Sequence, residues 1–588
     1  MNLSDRSIRR LHYLLLGVSV LICSTPFLAY YLTRGHDTGY LLFRLEGVAR
    51  GFVAGEFPPR MQTSQLHGYG YPAGVTFPDL FLYPFALLRA AGLGLNNTYR
   101  VLFVCLNAFT AVISYESLRR IAGRNLALAA TLLWMFAPYR NEDVLLRGDF
   151  GEAMALSFLP LFALGVYRIV WERDGAHRSE GRALDGWLLC GIAMSGVVYS
   201  NLCVTVIMLV FAVPVAVALA VANGRLLALV KGALRAAALA LLLTAAFTVP
   251  LVDYHLNARL AYTSGFASMT RGWMELHALH PAHLMLLFAP FTGASFCGRT
   301  DPIGFGCMPL APGWALLGAG VCALLVLVTP EAWGRGTRRP RRSMAVLLAS
   351  VAILLLACTK LFPWGGGAGP LDPLVSVLAN LQFPWRLLGP ASFLLVLCFV
   401  FAVRVTRGVL PASLRRGAAV ALVALAMLEC GVGVTTFIYY GQRVDAWEVL
   451  TTDTGVYDAQ FVPAGTNLAE LQGALADEPV PTTGVDVESF SRRGSRVTLT
   501  VRSRSAGESH VDLPLLLYRY VSILSASPGE PACVLSAGPN GVARLTVPGG
   551  YEGTLEVGFA EPALWRVAEA VSLLTLCAVV VALARRRG

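Results

Sequence analysis

The chain has 588 residues, of which 56% are hydrophobic and only 14% are charged, and its mean hydropathy is +0.60. This composition excludes a water-soluble globular protein and indicates an integral membrane protein. The formal net charge is +11, but the basic residues form short clusters at the ends of apolar segments, which argues for membrane topology and against a nucleic-acid partner.

Apolar windows of about 17 to 23 residues, the length that a helix needs to cross the hydrocarbon core, recur along the chain. The first begins near Leu11 and has no small-residue cleavage site, so we interpret it as a retained span rather than a signal peptide. We predict about twelve transmembrane helices: 11–32, 100–118, 125–139, 152–171, two helices in 186–224 divided at Ser200-Asn201, 236–254, 310–329, 344–359, 387–403, 417–440 and 570–584.

The arginine clusters predict the orientation of these helices. If residues 77–94 crossed the membrane fully, the later clusters would lie outside, so we interpret this segment as an interfacial or re-entrant helix. The N- and C-termini of a multi-pass protein of the cell membrane (inner or plasma membrane) are then cytoplasmic. The clusters that become cytoplasmic with this choice are 119–124, 168–182, 335–342, 404–416 and 585–587.

Three regions follow from this topology. Residues 1–440 form the membrane domain, with a long first outer loop at 34–76. Residues 441–562 have a soluble composition and alternate apolar with polar positions, as at Val497, Leu499 and Val501, which predicts an extracytoplasmic β-sandwich. Residues 563–588 contain the last span and a basic cytoplasmic tail.

Two of the twelve cysteines, Cys297 and Cys307, fall in the predicted outer loop 253–309. An oxidising compartment would allow them to form a loop-closing disulfide. The alternative is a metal site, but no CxxC or histidine pair is spaced with them.

The first outer loop contains the strongest local signal. Gly35-His36-Asp37 follows the first span directly, so the Asp37 carboxylate lies at the membrane surface, where the head group of a lipid-linked substrate would lie. The alternative role for Asp37 is that of a helix N-cap. Further candidates for substrate binding in this loop are His36, Arg44, Arg60, His67 and Tyr69. For the two histidines, the alternative is an ordinary hydrogen-bonded position in a loop.

A second outward group comprises Arg140, Arg147, Asp149 and Glu152. Asp149 is a candidate to assist a divalent metal or to bind the acceptor, and the alternative is a set of salt bridges at a helix entry. Glu429 lies within a predicted span, where an ionisable residue is costly, and we expect it to pair with an arginine.

An acidic residue after the first span, a proline-rich interfacial segment and a second span with a basic end together resemble the GT-C class of membrane glycosyltransferases. More closely, the chain resembles bacterial YfhO-like proteins and the related family labelled 6-pyruvoyl-tetrahydropterin synthase-related membrane proteins. The strings that carry this resemblance are His36-Asp37, Arg44-Leu45-Glu46-Gly47, His67-Gly68-Tyr69-Gly70, Ala137-Pro138-Tyr139-Arg140 and Leu381-Gln382-Phe383-Pro384-Trp385-Arg386.

The resemblance implies a protein that is embedded in membrane lipids. It would transfer a sugar from a polyprenyl-phosphate-linked donor to a glycan, lipid or protein acceptor outside the cytoplasm. For an inverting transfer, Asp37 is the candidate catalytic base and Arg386 the candidate partner of the phosphate. The alternative for Arg386 is an interfacial anchor beside Trp385. Many GT-C enzymes have two adjacent acids, whereas Thr38 follows Asp37 here, which favours a metal-free monophosphate donor.

Two other functions compete with sugar transfer. The first is a non-catalytic transporter, or a protein that handles lipid-linked glycans, on a GT-C-like scaffold. The chain shows no inverted repeat, which argues against a transporter. In the second, the β domain is itself a module that binds a glycan or a protein.

Overall fold

The computed structural model describes residues 5–172, 184–264, 270–285, 310–329, 338–367, 369–407, 409–452, 460–472, 478–527 and 533–585. The predicted disulfide between Cys297 and Cys307 lies outside the described residues. The helices of the N-terminal half are α1 Asp5–Ser24, α2 Thr38–Ala54, α3 Ala73–Thr76, α4 Tyr83–Ala90, α5 Leu95–Ala122, α6 Arg124–Met135, α7 Pro138–Glu142, α8 Phe150–Ser157, α9 Leu159–Trp171, α10 Gly186–Val198, α11 Leu202–Ile207, α12 Val213–Ala222 and α13 Leu226–Asn257. Those of the C-terminal half are α14 Arg271–His277, α15 Trp314–Val328, α16 Arg338–Ala357, α17 Asp372–Leu378, α18 Leu388–Val405, α19 Ala412–Tyr440, α20 Ala446–Thr452, α21 Leu468–Gln472 and α22 Ala563–Arg585.

Nine helical segments of the described chain are long and apolar enough to cross a membrane. They are Asp5–Leu28, Leu95–Ala122, Phe150–Trp171, Leu202–Ala222, Leu226–Asn257, Arg338–Ala357, Pro384–Val405, Ala412–Tyr439 and Ala563–Arg585. The other three predicted spans correspond to the shorter helices α6, α10 and α15, of 12, 13 and 15 residues. The protein is therefore a helical membrane protein, while the total of twelve spans stays a prediction.

Small residues allow the helices to approach closely. Helix α18 is central and packs against α6, α15 and α16. Where α9 meets α10, a Cβ atom added to Gly186 would lie 2.6 Å from the carbonyl oxygen of Gly165. Such contacts are typical of helix association in lipid, where packing rather than the hydrophobic effect drives assembly.

The segment between the first two spans is more helical than its sequence suggested. The predicted loop 34–76 contains the 17-residue helix α2. Within the predicted interfacial helix 77–94, the helix α4 has only eight residues, preceded by the turn Leu80–Leu82. Eight residues rise about 12 Å, too little to cross the hydrocarbon core. The interfacial position of this segment stays a prediction.

The structure corrects the expectation that Glu429 pairs with an arginine. Instead of an arginine, its carboxylate accepts hydrogen bonds from the backbone nitrogens of Trp314, at 2.6 Å, and Ala315, at 3.2 Å. Helix α15 begins there, so the buried acid of α19 satisfies donors that the helix itself leaves without partners.

The C-terminal region contains two four-stranded antiparallel sheets. Strands β1 Leu32–Thr33 and β2 Arg443–Val444 first pair the end of the first span with the entry to this region. One sheet has the order β4-β5-β10-β7 and the other β3-β6-β9-β8. Their bounds are β3 Val480–Pro481, β4 Val485–Arg493, β5 Arg496–Ser503, β6 Ser509–Leu516, β7 Val521–Ser527, β8 Val534–Ala537, β9 Val542–Val547 and β10 Glu552–Phe559.

The apolar positions of both sheets form one core. In β5, Val497, Leu499 and Val501 are fully buried, and their cluster includes Val511 and Leu513 of the opposite sheet. The alternation read from the sequence is therefore confirmed as a strand pattern. The position of the sheets outside the cytoplasm stays a prediction.

Candidate functional site

The turn at Gly35-His36-Asp37 is fixed by backbone contacts with the second outward segment. The nitrogen of His36 donates to the carbonyl of Leu146 at 2.9 Å, and that of Asp37 donates to the carbonyl of Arg147 at 2.6 Å. A Cβ atom added to Gly35 would lie 2.9 Å from the Leu146 carbonyl oxygen, so the approach requires glycine. The two outward groups of the sequence thus meet in space.

Asp37 directly precedes helix α2. Within the described residues 37–54, its carboxylate makes no capping hydrogen bond to the first turn of this helix, so the N-cap alternative does not account for it. Its side chain is 44% exposed, and Oδ2 lies 3.9 Å from Nη2 of Arg147. Next to it, burial and the charge of Arg147 lower the pKa of His36 to about 4, so this imidazole is neutral at physiological pH.

Arg147 is the centre of an ionic network. Its Nη1 donates to Asp143 Oδ1 at 2.5 Å and to Glu152 Oε2 at 2.6 Å, and its Nη2 donates to Asp149 Oδ2 at 2.9 Å. The guanidinium also lies over the ring of Trp385, 4.8 Å from the ring centre. Burial and the neighbouring Glu152 raise the pKa of Asp143 well above its ordinary value.

Asp149 has two structural partners. Oδ1 accepts a hydrogen bond from the nitrogen of Glu152 at 2.9 Å and so caps helix α8, while Oδ2 is the partner of Arg147. Burial opposes ionisation, but the charges of Arg147 and Arg386 outweigh it and lower the pKa of Asp149. Asp149 is therefore a carboxylate, and the predicted salt bridges at this helix entry are present.

Arg386 joins the same network from the turn that precedes α18. Its Nη1 lies 3.5 Å from Glu152 Oε2, and its Nη2 donates to Gln382 Oε1 at 3.1 Å. Glu152 thus bridges Arg386 and Arg147. Gln382 has a φ of +66°, a backbone conformation that costs free energy in a residue other than glycine and occurs often at functional sites.

Asp37, Asp149, Gln382 and Arg386, but not Arg147 or Glu152, belong to the described lining of a cavity of about 340 Å³, which we call the polar cavity. The beginnings of helices α2, α8 and α11 meet at it, and helix N-termini favour anions. Gln460 and Phe461, from the C-terminal region, border it as well, and Phe461 packs on Phe77 with ring centres 5.3 Å apart. Its polar and charged lining includes Asp37, Tyr40, Arg44, Asp149, Asn201 and Arg386.

The guanidinium of Arg44, which also lines the polar cavity, is already paired with groups of the protein. Its Nε donates to Asp79 Oδ1 at 3.0 Å and its Nη2 donates to the carbonyl of Pro78 at 2.9 Å. The rings of Tyr40 and Phe77 lie on it, with centres 5.4 Å away. Arg44 is consequently held rigidly at the edge of the cavity.

Six residues predicted to bind substrate are absent from the described lining of the polar cavity. Two of them adjoin lining residues, since His36 precedes Asp37 and Glu152 pairs with Arg386. The other four lie elsewhere. Arg60 donates to Glu569 at 2.7 Å, beside the last helix. His67 and Tyr69 belong to a loop that contacts the sheets, where the Tyr69 carbonyl accepts from Leu516. Arg140 is almost fully buried and donates to Asn107 at 2.5 Å. Long-range contacts, which the sequence does not reveal, place these side chains elsewhere.

Other lining residues were not identified as site residues from the sequence. Asn201 was used only to divide two helices, and its Oδ1 in fact caps α11 by accepting from Val204 at 3.1 Å. Gln382 belongs to the sequence string Leu381–Arg386. This string was the signal that could have identified it as a site residue. Among the residues that the structure describes, no group of three or more His, Cys, Asp or Glu side chains could hold a metal ion.

An apolar groove lies beside the polar cavity. On α11, Val206 borders the polar cavity and Ile207 borders the groove, and the groove follows α12 to Leu219. On the facing side it begins at Pro390, one turn after Arg386. From Ile207 to Leu219 a helix rises roughly 18 Å. Its walls are almost entirely apolar, with aromatic members such as Phe211, Phe393 and Phe401.

Comparison with known proteins gives structural likeness only. No family model matches the sequence, and no curated protein matches it. Two solved structures are similar over 74% of this chain: the mycobacterial arabinofuranosyltransferase AftD, at 14% identity and a TM-score of 0.40, and the Archaeoglobus fulgidus oligosaccharyltransferase in its apo form, at 13% and 0.39. The match covers 27% of the first chain and 56% of the second.

Proposed function

We propose that the protein is a membrane glycosyltransferase. It transfers a sugar from a polyprenyl-phosphate-linked donor to a glycan, lipid or protein acceptor at the extracytoplasmic face, with inversion at the anomeric carbon. In this proposal the termini are cytoplasmic, in the cell membrane, and residues 441–562 are extracytoplasmic.

One observation carries the proposal. An exposed carboxylate, Asp37, and a guanidinium, Arg386, border one cavity, and an apolar groove lies beside it on the span Leu202–Ala222 and on α18. These features complement the three parts of a lipid-linked phosphosugar: the sugar that reacts with a hydroxyl, the anionic phosphate and the long apolar chain. Sugar transfer uses the exposed carboxylate as a base, a role that a non-catalytic scaffold does not require.

Asp37 acts as the general base. It takes the proton of the acceptor hydroxyl while that oxygen forms a bond to the anomeric carbon. The bond between the anomeric carbon and the phosphate oxygen breaks, and its electron pair stays on the phosphate. Attack opposite the leaving group inverts the configuration. The neutral His36 beside Asp37 adds no positive charge that would weaken the base.

The leaving phosphate requires positive charge in a fixed position. Arg386 offers a planar set of donors that matches phosphate oxygens. The beginnings of α2, α8 and α11 contribute partial positive charge at the same cavity. Arg44 also lines the cavity, with its charge partly satisfied by Asp79, and we assign it to the sugar hydroxyls. Asp149 is assigned to the acceptor.

The groove between α12 and α18 holds the polyprenyl chain. Its apolar walls match a hydrocarbon, and burial of each methylene group contributes about 0.8 kcal/mol. Because Asp37 is followed by Thr38 and not by a second acid, the donor in this proposal is a monophosphate, and no step is assigned to a metal.

The variant Asp37→Asn tests the proposal. General base catalysis contributes about 10²- to 10⁴-fold, so purified Asp37→Asn protein in lipid nanodiscs should transfer sugar at least about 100-fold more slowly. Asp486→Asn is a matched control, since Asp486 lies on β4 with a side chain 43% exposed, and it should keep full activity. Undiminished transfer by folded Asp37→Asn protein would remove Asp37 from the mechanism.

The competing function as a lipid-glycan handling protein has a distinct outcome. In that case the wild-type protein would retain a polyprenyl-phosphate lipid through purification but transfer no sugar to glycan, lipid or protein acceptors. Mass spectrometry of the bound lipid, together with a transfer assay, separates the two functions.

A further inference from the structure

A second cavity, of about 510 Å³, lies where the first outer segment meets the sheets. Helices α2 and α4 form two of its sides, and the turn between β4 and β5 forms the third. Three arginines border it, Arg50, Arg89 and Arg493, together with the single acid Glu46. We call this space the arginine cavity. It shares no lining residue with the polar cavity.

The charges of the arginine cavity do not balance. Glu46 accepts from Nε of Arg50 and from Nε of Arg89, both at 2.8 Å. A guanidinium has five N–H donors, so a single carboxylate cannot accept hydrogen bonds from all the donors of two arginines. With Arg493, the lining carries three positive charges and one negative charge. The nearby acid Glu56 accepts from the nitrogen and the hydroxyl of Ser495, each at 2.7 Å, and it adds a second negative charge next to Gly494 of the lining. The arginines are still in excess.

The cavity also lies beside exposed apolar side chains. Val53 lines it and is 69% exposed, and Phe57, on the same segment, is 67% exposed. Leu87 and Leu88 of α4 are exposed too. A soluble protein would bury such residues, whereas a membrane protein presents them to lipid.

Two candidate spans begin near the arginine cavity. Helix α4 and Gly92 lead directly into α5, which begins at Leu95. Near the start of α22, Nη1 of Arg566 donates to the carbonyl of Phe57 at 2.9 Å. Spans start at the boundary between hydrocarbon and water, so these neighbours fit a position of the cavity at that boundary.

We propose that the arginine cavity binds the phosphate head group of an anionic phospholipid. The guanidinium groups pair with the phosphate, while the acyl chains lie along Val53, Leu87 and Leu88. Arginine suits this role because its planar donors match phosphate geometry and it is more weakly hydrated than lysine. This lipid fastens α2 and the β4–β5 turn to the membrane surface. The assignment is independent of the sugar-transfer proposal.

The test measures lipid retention by the full chain. Wild-type protein and the double variant Arg50→Gln/Arg493→Gln are placed in nanodiscs of phosphatidylcholine containing a minor fraction of phosphatidylglycerol. Both residues are exposed, so folding should survive their replacement. After transfer to detergent, native mass spectrometry should show at least about 5-fold less bound phosphatidylglycerol on the variant, equivalent to a loss of about 1 kcal/mol.

The matched control is Arg496→Gln, an exposed arginine of the same hairpin that pairs with Glu556 instead of lining the cavity. It should retain phosphatidylglycerol like the wild type. Equal retention by the double variant, or an equal loss in the control, would overturn the proposal. A further arm adds inorganic phosphate to the protein in detergent. If phosphate alone raised the Tm as much as phosphatidylglycerol does, the site would be one for free anions and the lipid assignment would be wrong.

Discussion

At the scale of residues, Asp37 is the acid that lies farthest from the centre of the ionic network. Arg147 makes its short contacts with Asp143 and Glu152, at 2.5 and 2.6 Å, whereas Asp37 Oδ2 is 3.9 Å away. The other acids thus hold the short contacts with Arg147, and the exposed carboxylate of Asp37 faces the polar cavity.

Arg386 permits a test of donor recognition. A hydrogen bond to a charged group is worth about 1.5–3 kcal/mol, so Arg386→Gln should weaken donor binding by roughly 10- to 100-fold. Because the change affects phosphate recognition, the apparent KM for the donor should rise while that for the acceptor stays constant. Steady-state kinetics with both substrates varied measures the two effects. A KM for the donor equal to that of the wild type would exclude Arg386 as the phosphate partner.

The lowered pKa of His36 predicts that the stability of the protein depends on pH. Its pKa is about 4 in the folded protein, below its ordinary value of 6.5, because burial and Arg147 disfavour the imidazolium. As the pH falls, the unfolded chain binds this proton first, so the contribution to stability is full above about pH 6.5 and declines toward pH 4. At about pH 5 the loss reaches up to about 2 kcal/mol.

The measurement compares the Tm of wild-type protein and His36→Asn between about pH 7 and pH 5. Acidification should lower the Tm of the wild type more than that of His36→Asn. The control His510→Gln, which changes a histidine of β6 outside the polar cavity, should behave like the wild type. Identical acid sensitivity in wild type and His36→Asn would contradict the assignment.

At the scale of elements, the long apolar helices were predictable because each needs only composition and length. Helix α2 was missed, although Leu41, Leu42, Leu45, Val48 and Ala49 recur at helical spacing and are buried. The helix packs on α4 and α5, and this apolar period in residues 38–54 was the signal that could have predicted it. The strands of the C-terminal region were predictable from alternation, but their order in two sheets was not.

The site, too, was predictable in part. Asp37, Arg44, Asp149 and Arg386 stand on one predicted side of the membrane, and the structure brings them to one cavity. Arg140 stands on that side as well, yet its side chain turns inward to Asn107. Topology therefore predicts which side of the membrane a residue lies on, whereas the direction of its side chain depends on partners far away in the chain.

At the scale of the whole molecule, the membrane helices and the C-terminal region both border the polar cavity. The membrane helices supply the walls of the polar cavity and of the apolar groove, and Gln460 and Phe461 of the C-terminal region border the cavity. Pairing of β1 with β2, and the ion pair of Arg60 with Glu569, connect the first outer segment to the rest of the chain at both ends of that region. A donor would therefore contact elements from most of the sequence.

Because the polyprenyl chain and the sugar phosphate occupy separate spaces in our proposal, they can be tested separately. Ala212 lines the apolar groove, so Ala212→Phe places a ring in the path of the chain without touching the polar cavity. Transfer from a long-chain polyprenyl donor should fall by at least about 10-fold, a free-energy change of about 1.4 kcal/mol, because the blocked methylene groups lose their burial. Transfer from a donor with a short prenyl chain should be nearly unchanged.

Ala218→Phe is the matched control, since Ala218 lies on the same candidate span, Leu202–Ala222, but is exposed. It should transfer from long and short donors like the wild type. Transfer assays with the two donors on all three proteins measure the effect. Equal losses with both donors would mean that the new ring disturbs the fold rather than the groove, and unchanged long-chain transfer by Ala212→Phe would show that the polyprenyl chain binds elsewhere.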